Sequence, residues 1–480
     1  MEQLHSIENV PPLPKVRRAA IRPILKPGRA FWPVVALLTA IVAWGIMAWT
    51  VQVRQGLGSA GYNDHAFWAI YIADVITFIG VSYGGAVVSA ILRLTGAHWR
   101  APLTRIAEAT AVVTVIIGAS FIIPHLGRPE RVLELIWRPN LSSPIFWDFV
   151  AVSTYAFASI VFFFLPLMPD LAVSNPAMEE AGLTRRARLF KLLSFRWNGN
   201  QRQHRRLNGA IGLVAIMIIP LAVSVHSVLS WAFSLTSRPW WHESIWAPYF
   251  VVAALYSGIA LVILVVALFR KVYGLEPFIS ERHFVRLGFI LVPFGAAYLY
   301  LTLADFLPGS YVGEHGIAAV FSAVITGRYA LWFWIFVFGG CIIPIVIMAL
   351  PWTRRLGFIV GAAALVDGSL WLKRIIMVVA PANYERVNGL FGAYHFTWIS
   401  ISVTLAGVAA IPLLLLLLFR VVPILPVTEM EEIAAIEAGI ISAHAPVSGG
   451  VGKTIAPELV APGVTAIDTT ANLDMHTEGI

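Results

Sequence analysis

Apolar residues in this chain come as long unbroken runs rather than as stripes. Ten runs cover about 32–53, 66–93, 103–125, 144–168, 206–234, 245–269, 284–304, 329–350, 355–379 and 396–419. Each is long enough to cross a hydrocarbon core of about 30 Å as a helix. The runs lack alternation of period two, and backbone groups in lipid must be satisfied within the segment or in a closed barrel, so strands are not expected. The pattern predicts an all-α polytopic membrane protein with about ten transmembrane helices. Trp240, Trp241, Trp246 and Tyr249 gather at run ends, as interfacial anchors do.

Composition agrees: the 480 residues are 58% hydrophobic and 12% charged, where soluble domains carry about 25% charged residues. The net charge of +8 raises nucleic acid as a partner, but its distribution argues against one. The arm before the first run holds Lys15, Arg17, Arg18, Arg22, Lys26 and Arg29, and the loop after the fourth holds Arg185, Arg186, Arg188, Lys191, Arg196, Arg202, Arg205 and Arg206. Both lie on one side of the membrane if the runs alternate in direction. That is the positive-inside bias, which places both termini in the cytoplasm and the 126–143 loop outside. The basic, Pro-rich first 30 residues lack the short apolar core of a cleavable signal, so the first run is expected to stay as an anchor.

Outside the runs, residues 169–205 read as a basic connection with Pro169 and Pro176, and residues 421–480 as an extended tail with a short helix near 428–438. "SGGVGKT" in the tail imitates a phosphate-binding loop, but Val447 stands where the first glycine is required. The single cysteine, Cys341, excludes an intramolecular disulfide, a thiolate-held iron–sulfur cluster and a Cys-rich zinc site within the chain; packing is its expected role.

Polar residues inside the runs are costly in lipid and therefore candidates for function. At 1.5 Å per residue, Asp74 lies roughly 12 Å inside the second run and His226 roughly 12 Å from the outer end of the fifth. His125 ends the third run in "PHLGRPERV" (124–132), and Asp148 opens the fourth in "SSPIFWDF" (142–149). All four fall in the outer half of runs two to five, with Arg128 nearby. Two carboxylates and two histidines at one rim can hydrogen-bond a polar head group arriving from lipid and accept its protons. The plainer alternative is that these groups cap helix ends or pair with one another.

A second set occupies runs seven to nine: Tyr298, Tyr300 and Asp305, then Asp367 and Lys373–Arg374. Asp367 pairing with Lys373 or Arg374 competes with a proton-relay role, and Glu108 extends a path from Asp74 inward. "GVSYG" (80–84) and "GFIVG" (357–361) have the small-xxx-small spacing of close helix packing. Bis-histidine haem needs paired histidines at matching depth, and of the twelve histidines only His226 is clearly intramembrane, so no haem is expected.

The run "IPHLGRPERVLELIWRPNLSSPIFWDF" (123–149), with "YLYLTLADFLPGSYVGEHG" (298–316) and "DGSLWLKRIIMVVAP" (367–381), resembles the NrfD/PsrC family. These are quinol-interacting membrane subunits of bacterial iron–sulfur molybdoenzyme-like complexes. The resemblance covers roughly residues 65–400. Ten spans and a long tail look most like the ActC subunits of alternative complex III, with their paralogue ActF the nearest rival.

The resemblance implies two four-helix bundles with two flanking helices. Its boundaries would be an arm at 1–31, a flanking helix and outer loop at 32–64, the first bundle with the quinol site at 65–234, the second at 235–380, a flanking helix at 381–420 and the tail at 421–480. It implies quinol, menaquinol by preference, oxidised near the periplasmic face of the bacterial cytoplasmic membrane. His125 matches the family's HLGRP histidine, and Asp148 the acid after its SP-x-x-W pattern. Arg128, Asp74 and His226 join that quinol-binding set. The expected proton path comprises Asp74, Glu108, His226, Tyr298, Asp305, Asp367, Lys373 and Arg374. With no redox centre or metal of its own, the chain would pass electrons to a periplasmic iron–sulfur subunit, beside c-type haem subunits and a paralogous NrfD-like membrane subunit. The competing class is a secondary transporter or proton channel without redox partners.

Overall fold

Every one of the ten apolar runs is helical in the structure, a computed structural model that describes residues 15–437 apart from 315 and 386. The phosphate-loop imitation lies outside the described residues. In chain order the helices are α1 (Lys15–Leu25), α2 (Phe31–Gln55), α3 (Ile70–Leu94), α4 (Ala101–Ser120), α5 (Ile122–Leu126), α6 (Glu134–Trp137), α7 (Pro144–Glu180), α8 (Thr184–Leu193) and α9 (Gln201–Ser234). They continue as α10 (Trp246–Tyr273), α11 (Glu281–Val312), α12 (Ile317–Ile325), α13 (Ala330–Ile335), α14 (Ile343–Ala349), α15 (Leu356–Asn383), α16 (Trp398–Phe419) and α17 (Val427–Glu437). Between α13 and α14 the backbone widens over Phe336–Ile342, and the Tyr256 hydroxyl donates to the Gly340 carbonyl there at 2.6 Å. Among the described residues there is no strand, only an isolated bridge between Tyr384 and Phe391.

Nine of the described helices are long and apolar enough to cross a membrane. α15, over the ninth expected run, is not one of the nine; it carries Asp367, Lys373 and Arg374. It packs against α10, α3 and the α13–α14 segment, so protein covers most of what lipid would not tolerate.

α3, α4, α7 and α9 close one four-helix bundle, and α10, α11, the α13–α14 segment and α15 close the other. α2 and α16 pair with each other on the flank of the first. The bundles meet where α3 crosses α10, and glycine makes that approach possible. A Cβ on Gly84 would stand 1.9 Å from the Gly258 carbonyl oxygen, and one on Gly258 would stand 2.3 Å from the Gly84 nitrogen. "GVSYG" therefore serves close packing as expected. "GFIVG" does not: a Cβ on Gly357 or Gly361 would meet nothing within 4 Å.

Two further expectations need correction. Trp240, Trp241, Trp246 and Tyr249 are not interfacial anchors, since all four are fully buried between helices. Pro169 and Pro176 do not end the fourth span, for α7 runs on through both to Glu180. A proline removes one backbone donor, but the added turns are held from outside. Asp170 accepts from Arg105 Nη2 at 2.5 Å and from the Thr428 amide at 2.8 Å.

Those contacts belong to a buried cluster at the basic face, the end of the molecule carrying α1, α8 and α17. Glu429 pairs with Arg100 at 2.5 Å and Arg93 at 3.6 Å. Burial alone would raise its carboxyl, but the two arginines bring it below the ordinary range. The chain ends interlock across this cluster. Arg17 holds Glu431 through two hydrogen bonds of 2.6 and 2.8 Å, and the Ile424 amide donates to the Ala20 carbonyl at 3.1 Å. The start of the tail is thus anchored, with Ile424, Leu425 and Val427 fully buried.

Candidate functional site

At the opposite end, the rim face, "PHLGRPERV" breaks the third span in two. α4 stops at Ser120, α5 carries His125, and Gly127 then turns the chain with φ +68 against Leu57. Gln52 of α2 fixes this turn by donating to the Pro124 carbonyl at 2.7 Å, and Gln52 Oε1 accepts from the Tyr71 hydroxyl at 2.7 Å. The His125 ring lies 5.9 Å from the Tyr62 ring and 6.5 Å from the Trp68 ring. Burial, with Tyr394 beside it, pushes the Tyr62 phenol well above its ordinary value, which keeps it neutral. His125 Nδ1 is buried with no protein partner.

"SSPIFWDF" starts α7: Ser143 is extended, Pro144 takes the first helical position, where its missing N–H costs nothing, and Trp147 Nε1 donates back to the Leu141 carbonyl at 2.8 Å. One residue later Asp148 turns inward, 9% exposed, with Oδ1 unpartnered. Trp147 turns outward and lines a groove of about 600 Å³ with Ser142, Pro144, Thr154, Ser224 and Trp231 on the flank between α7 and α9. Arg128 is exposed at the turn after α5.

Asp74 and His226 are not bonded to His125 or Asp148; tyrosines lie between, Tyr62 beside both His125 and Asp74 and Tyr83 beside both His226 and Asp148. Among the described residues no hydrogen bond or ion pair connects any two of the four. Asp74, fully buried, accepts from Trp371 Nε1 of α15 at 2.8 Å and from the Thr404 hydroxyl of α16 at 2.5 Å. His226 instead contacts Tyr83, with Nδ1 2.7 Å from the hydroxyl. The Tyr83 hydroxyl donates to the Ala222 carbonyl, and His226 Nε2 is buried without a hydrogen-bond partner in the protein. Arg374 Nη2 and His226 Nε2 both close on Gly80, 3.1 and 3.2 Å from where its Cβ would be. Asp74 and His226 thus face different helices around α3. Tyr83, Trp371 and Thr404 were missed in the sequence because only the packing shows which helix each faces.

In the second bundle, Asp367 pairs with neither Lys373 nor Arg374; both its oxygens are unpartnered. Arg374 donates to the Ser257 hydroxyl at 2.9 Å. Lys373 lies over aromatic rings, and the Asp305 carboxylate accepts from Trp240 Nε1 at 2.7 Å. Tyr298 is buried and borders, with Arg374, Tyr249 and Ile76, a cavity of about 10 Å³, enough for one water. Tyr300 is 68% exposed and points out of the bundle. Glu108 accepts from the Ser89 hydroxyl at 2.9 Å, with Oε2 unpartnered. Among the described residues no group of three His, Cys, Asp or Glu side chains is placed to hold a metal ion.

A polytopic helical membrane protein with titratable groups buried along two bundles, and with two unpartnered ones at one rim, is thereby defined. The family model described as "Polysulphide reductase, NrfD" matches residues 58–384, and the chain belongs to that family. It is 29% identical over 378 residues to a "Putative dimethyl sulfoxide reductase membrane subunit" of Halobacterium salinarum, covering 77% of this chain and 81% of that one. It is 24% identical to a selenate reductase subunit of Mesobacillus selenatarsenatis, over 75% of this chain and 84% of the relative. The "Hdr-like menaquinol oxidoreductase integral membrane subunit" of Archaeoglobus fulgidus is 23% identical, over 84% and 96%.

Proposed function

We propose that the chain is a quinol-oxidising membrane subunit of a multi-subunit oxidoreductase complex in the bacterial cytoplasmic membrane. The observation that carries this reading is the pair of buried, unpartnered atoms at the rim, His125 Nδ1 and Asp148 Oδ1. A buried polar atom without a partner costs about 1–3 kcal/mol, and a quinol head group with two hydroxyls supplies what both lack. Quinol reaches them from lipid along the groove beside Trp147. Its two electrons pass to an iron–sulfur cluster of a partner subunit, and its two protons leave through His125 and Asp148. Arg128 stands at the mouth. Names of the relatives support a redox complex, and one of them names menaquinol. Ten spans and the anchored tail favour a role like ActC in alternative complex III, with c-type haem subunits and a paralogous NrfD-like subunit as neighbours.

The rim face is external in this reading, because Lys and Arg crowd the opposite one. Single cysteines replacing Asn140 and Asn198, both exposed, are expected to differ in intact cells. An impermeant maleimide labels Asn140→Cys and spares Asn198→Cys; the reverse pattern inverts the topology and defeats the external quinol site.

Inward from the rim, Asp74, His226 and Glu108, with Tyr298, Asp305, Asp367, Lys373 and Arg374, form the proton path in this reading, with water carrying protons between them. The native complex in proteoliposomes is expected to reduce its iron–sulfur and haem c centres on addition of menaquinol and to acidify one side. Asp74→Asn and Asp367→Asn are expected to lower acidification per electron at preserved electron flow. An isolated chain that moves protons or solutes without any redox partner would instead establish a transporter.

A further inference from the structure

Trp240 and Trp241 are consecutive, yet their rings face different neighbours, Trp240 inside the second bundle and Trp241 against Trp68 and Phe233. Trp240 is fully buried and has φ +73, a conformation that residues with bulky side chains rarely adopt. Its ring lies 4.4 Å from Lys373 Nζ, with the rings of Phe306, Tyr249, Phe333 and Phe336 at 4.9–5.8 Å around the same atom. Its Nε1–H donates to Asp305 Oδ2 at 2.7 Å. Trp241 leans the other way: its Nε1–H holds the Met377 carbonyl at 2.7 Å, one turn along α15 from Lys373, and its ring lies 5.3 Å from Trp68, which borders His125.

Lys373 Nζ and Asp305 Oδ1 are both buried without partners, and no ion pair joins the two residues within the reach at which Arg105 meets Asp170. A structural salt bridge would close that gap. Here one indole covers the ammonium with its face, where cation–π attraction holds it, and ties the carboxylate by its edge. The pair is held near but apart.

We propose that Trp240 is a positioning residue that keeps Lys373 and Asp305 as a proton-exchanging pair, and that the Trp240–Trp241 turn ties this pair to the His125 site. The exchange breaks an Nζ–H bond of Lys373 and forms an Oδ1–H bond on Asp305, through a bridging water. Ammonium and carboxylate become amine and carboxylic acid, and no electron moves. Movement of Trp68 or Trp241 when a head group binds at the rim pulls on the strained neighbouring residue and so alters the separation of the pair. Other titratable groups facing it are Glu243 of the same loop, Tyr249 of α10, Tyr298 of α11 and Cys341 between α13 and α14. The link to the rim rests on the quinol reading; the pairing does not.

Trp240→Phe tests both parts, because it keeps an aromatic ring at the position over Lys373 while removing the N–H, together with the smaller ring of the indole. In the purified complex, infrared difference spectra between acidic and alkaline buffer should show a carboxyl band that disappears in Asp305→Asn. That band is expected to move in Trp240→Phe and to lose its titration in Lys373→Met. In proteoliposomes Trp240→Phe is expected to keep electron flow while protons per electron fall to what quinol oxidation alone releases. An unmoved band in Trp240→Phe overturns the positioning role. A moved band with unchanged proton yield overturns the link to turnover. Should the unmodified complex fail to oxidise quinol at all, the functional reading falls, and the infrared result still decides the role of Trp240.

Discussion

His125→Ala and Asp148→Asn are each expected to lower quinol oxidation by about 30- to 1000-fold while the complex still assembles. Each removes one of the two groups proposed to meet the head-group hydroxyls. A bound hydroxyl whose partner is deleted is left buried and unpaired, at about 2–4 kcal/mol, and every 1.36 kcal/mol is about tenfold in rate. Assembly should survive because His125 Nδ1 and Asp148 Oδ1 make no hydrogen bond to protein, and the His125 ring meets only the edge of the Tyr62 and Trp68 cluster. Asparagine also preserves the volume of Asp148 beneath Trp147. The loss should not double on the log scale in the paired variant, since both groups grip one molecule. Turnover is to be read against the haem c content of the purified complex. Near-normal turnover in both single variants would remove the rim from the mechanism.

Gly84→Val is expected to cost a large share of the folded protein. Overpacked cores usually lose about 1–3 kcal/mol because side chains can shift. At Gly84 the obstacle is backbone, the Gly258 carbonyl 1.9 Å from the added Cβ, and it cannot shift without parting α3 from α10. The loss is therefore expected to exceed about 3 kcal/mol and to appear as poor recovery of the complex and a lower melting temperature in detergent. Gly361→Val, in the other small-xxx-small motif, meets open space and should be silent. Equal effects at the two glycines would contradict the seam between the bundles.

The spans were legible because lipid demands long apolar helices, and run length alone reveals those. Depth was legible for the same reason, which is why His125 and Asp148 could be set at one rim from "HLGRP" and "SPIFWD". Azimuth was not. Asp74 and Tyr83 are nine positions apart on α3, two and a half turns, so they face opposite sides and their partners, Thr404 and His226, belong to different helices. Spacing likewise left open whether Asp367 pairs with Lys373 or Arg374, whereas aromatic rings surround the one cation and Ser257 accepts from the other. Trp240 and Trp241 misled for a related reason. Aromatic residues at the end of an apolar run suit an interface, and nothing local tells that the loop carrying them folds back between helices.

The interlocked ends at the basic face set an order on biosynthesis. α1 is among the first segments made, yet its partners, the backbone at Ile424 and the carboxylate of Glu431, are synthesised some four hundred residues later. Arg93 and Arg100 wait similarly for Glu429. Until the ribosome has passed α17, Arg17 of α1 and Arg93 and Arg100 of the basic face lack the two acids, Glu431 and Glu429, that they will finally have. Their arrival is a closing latch, which a chain stalled a span short does not have.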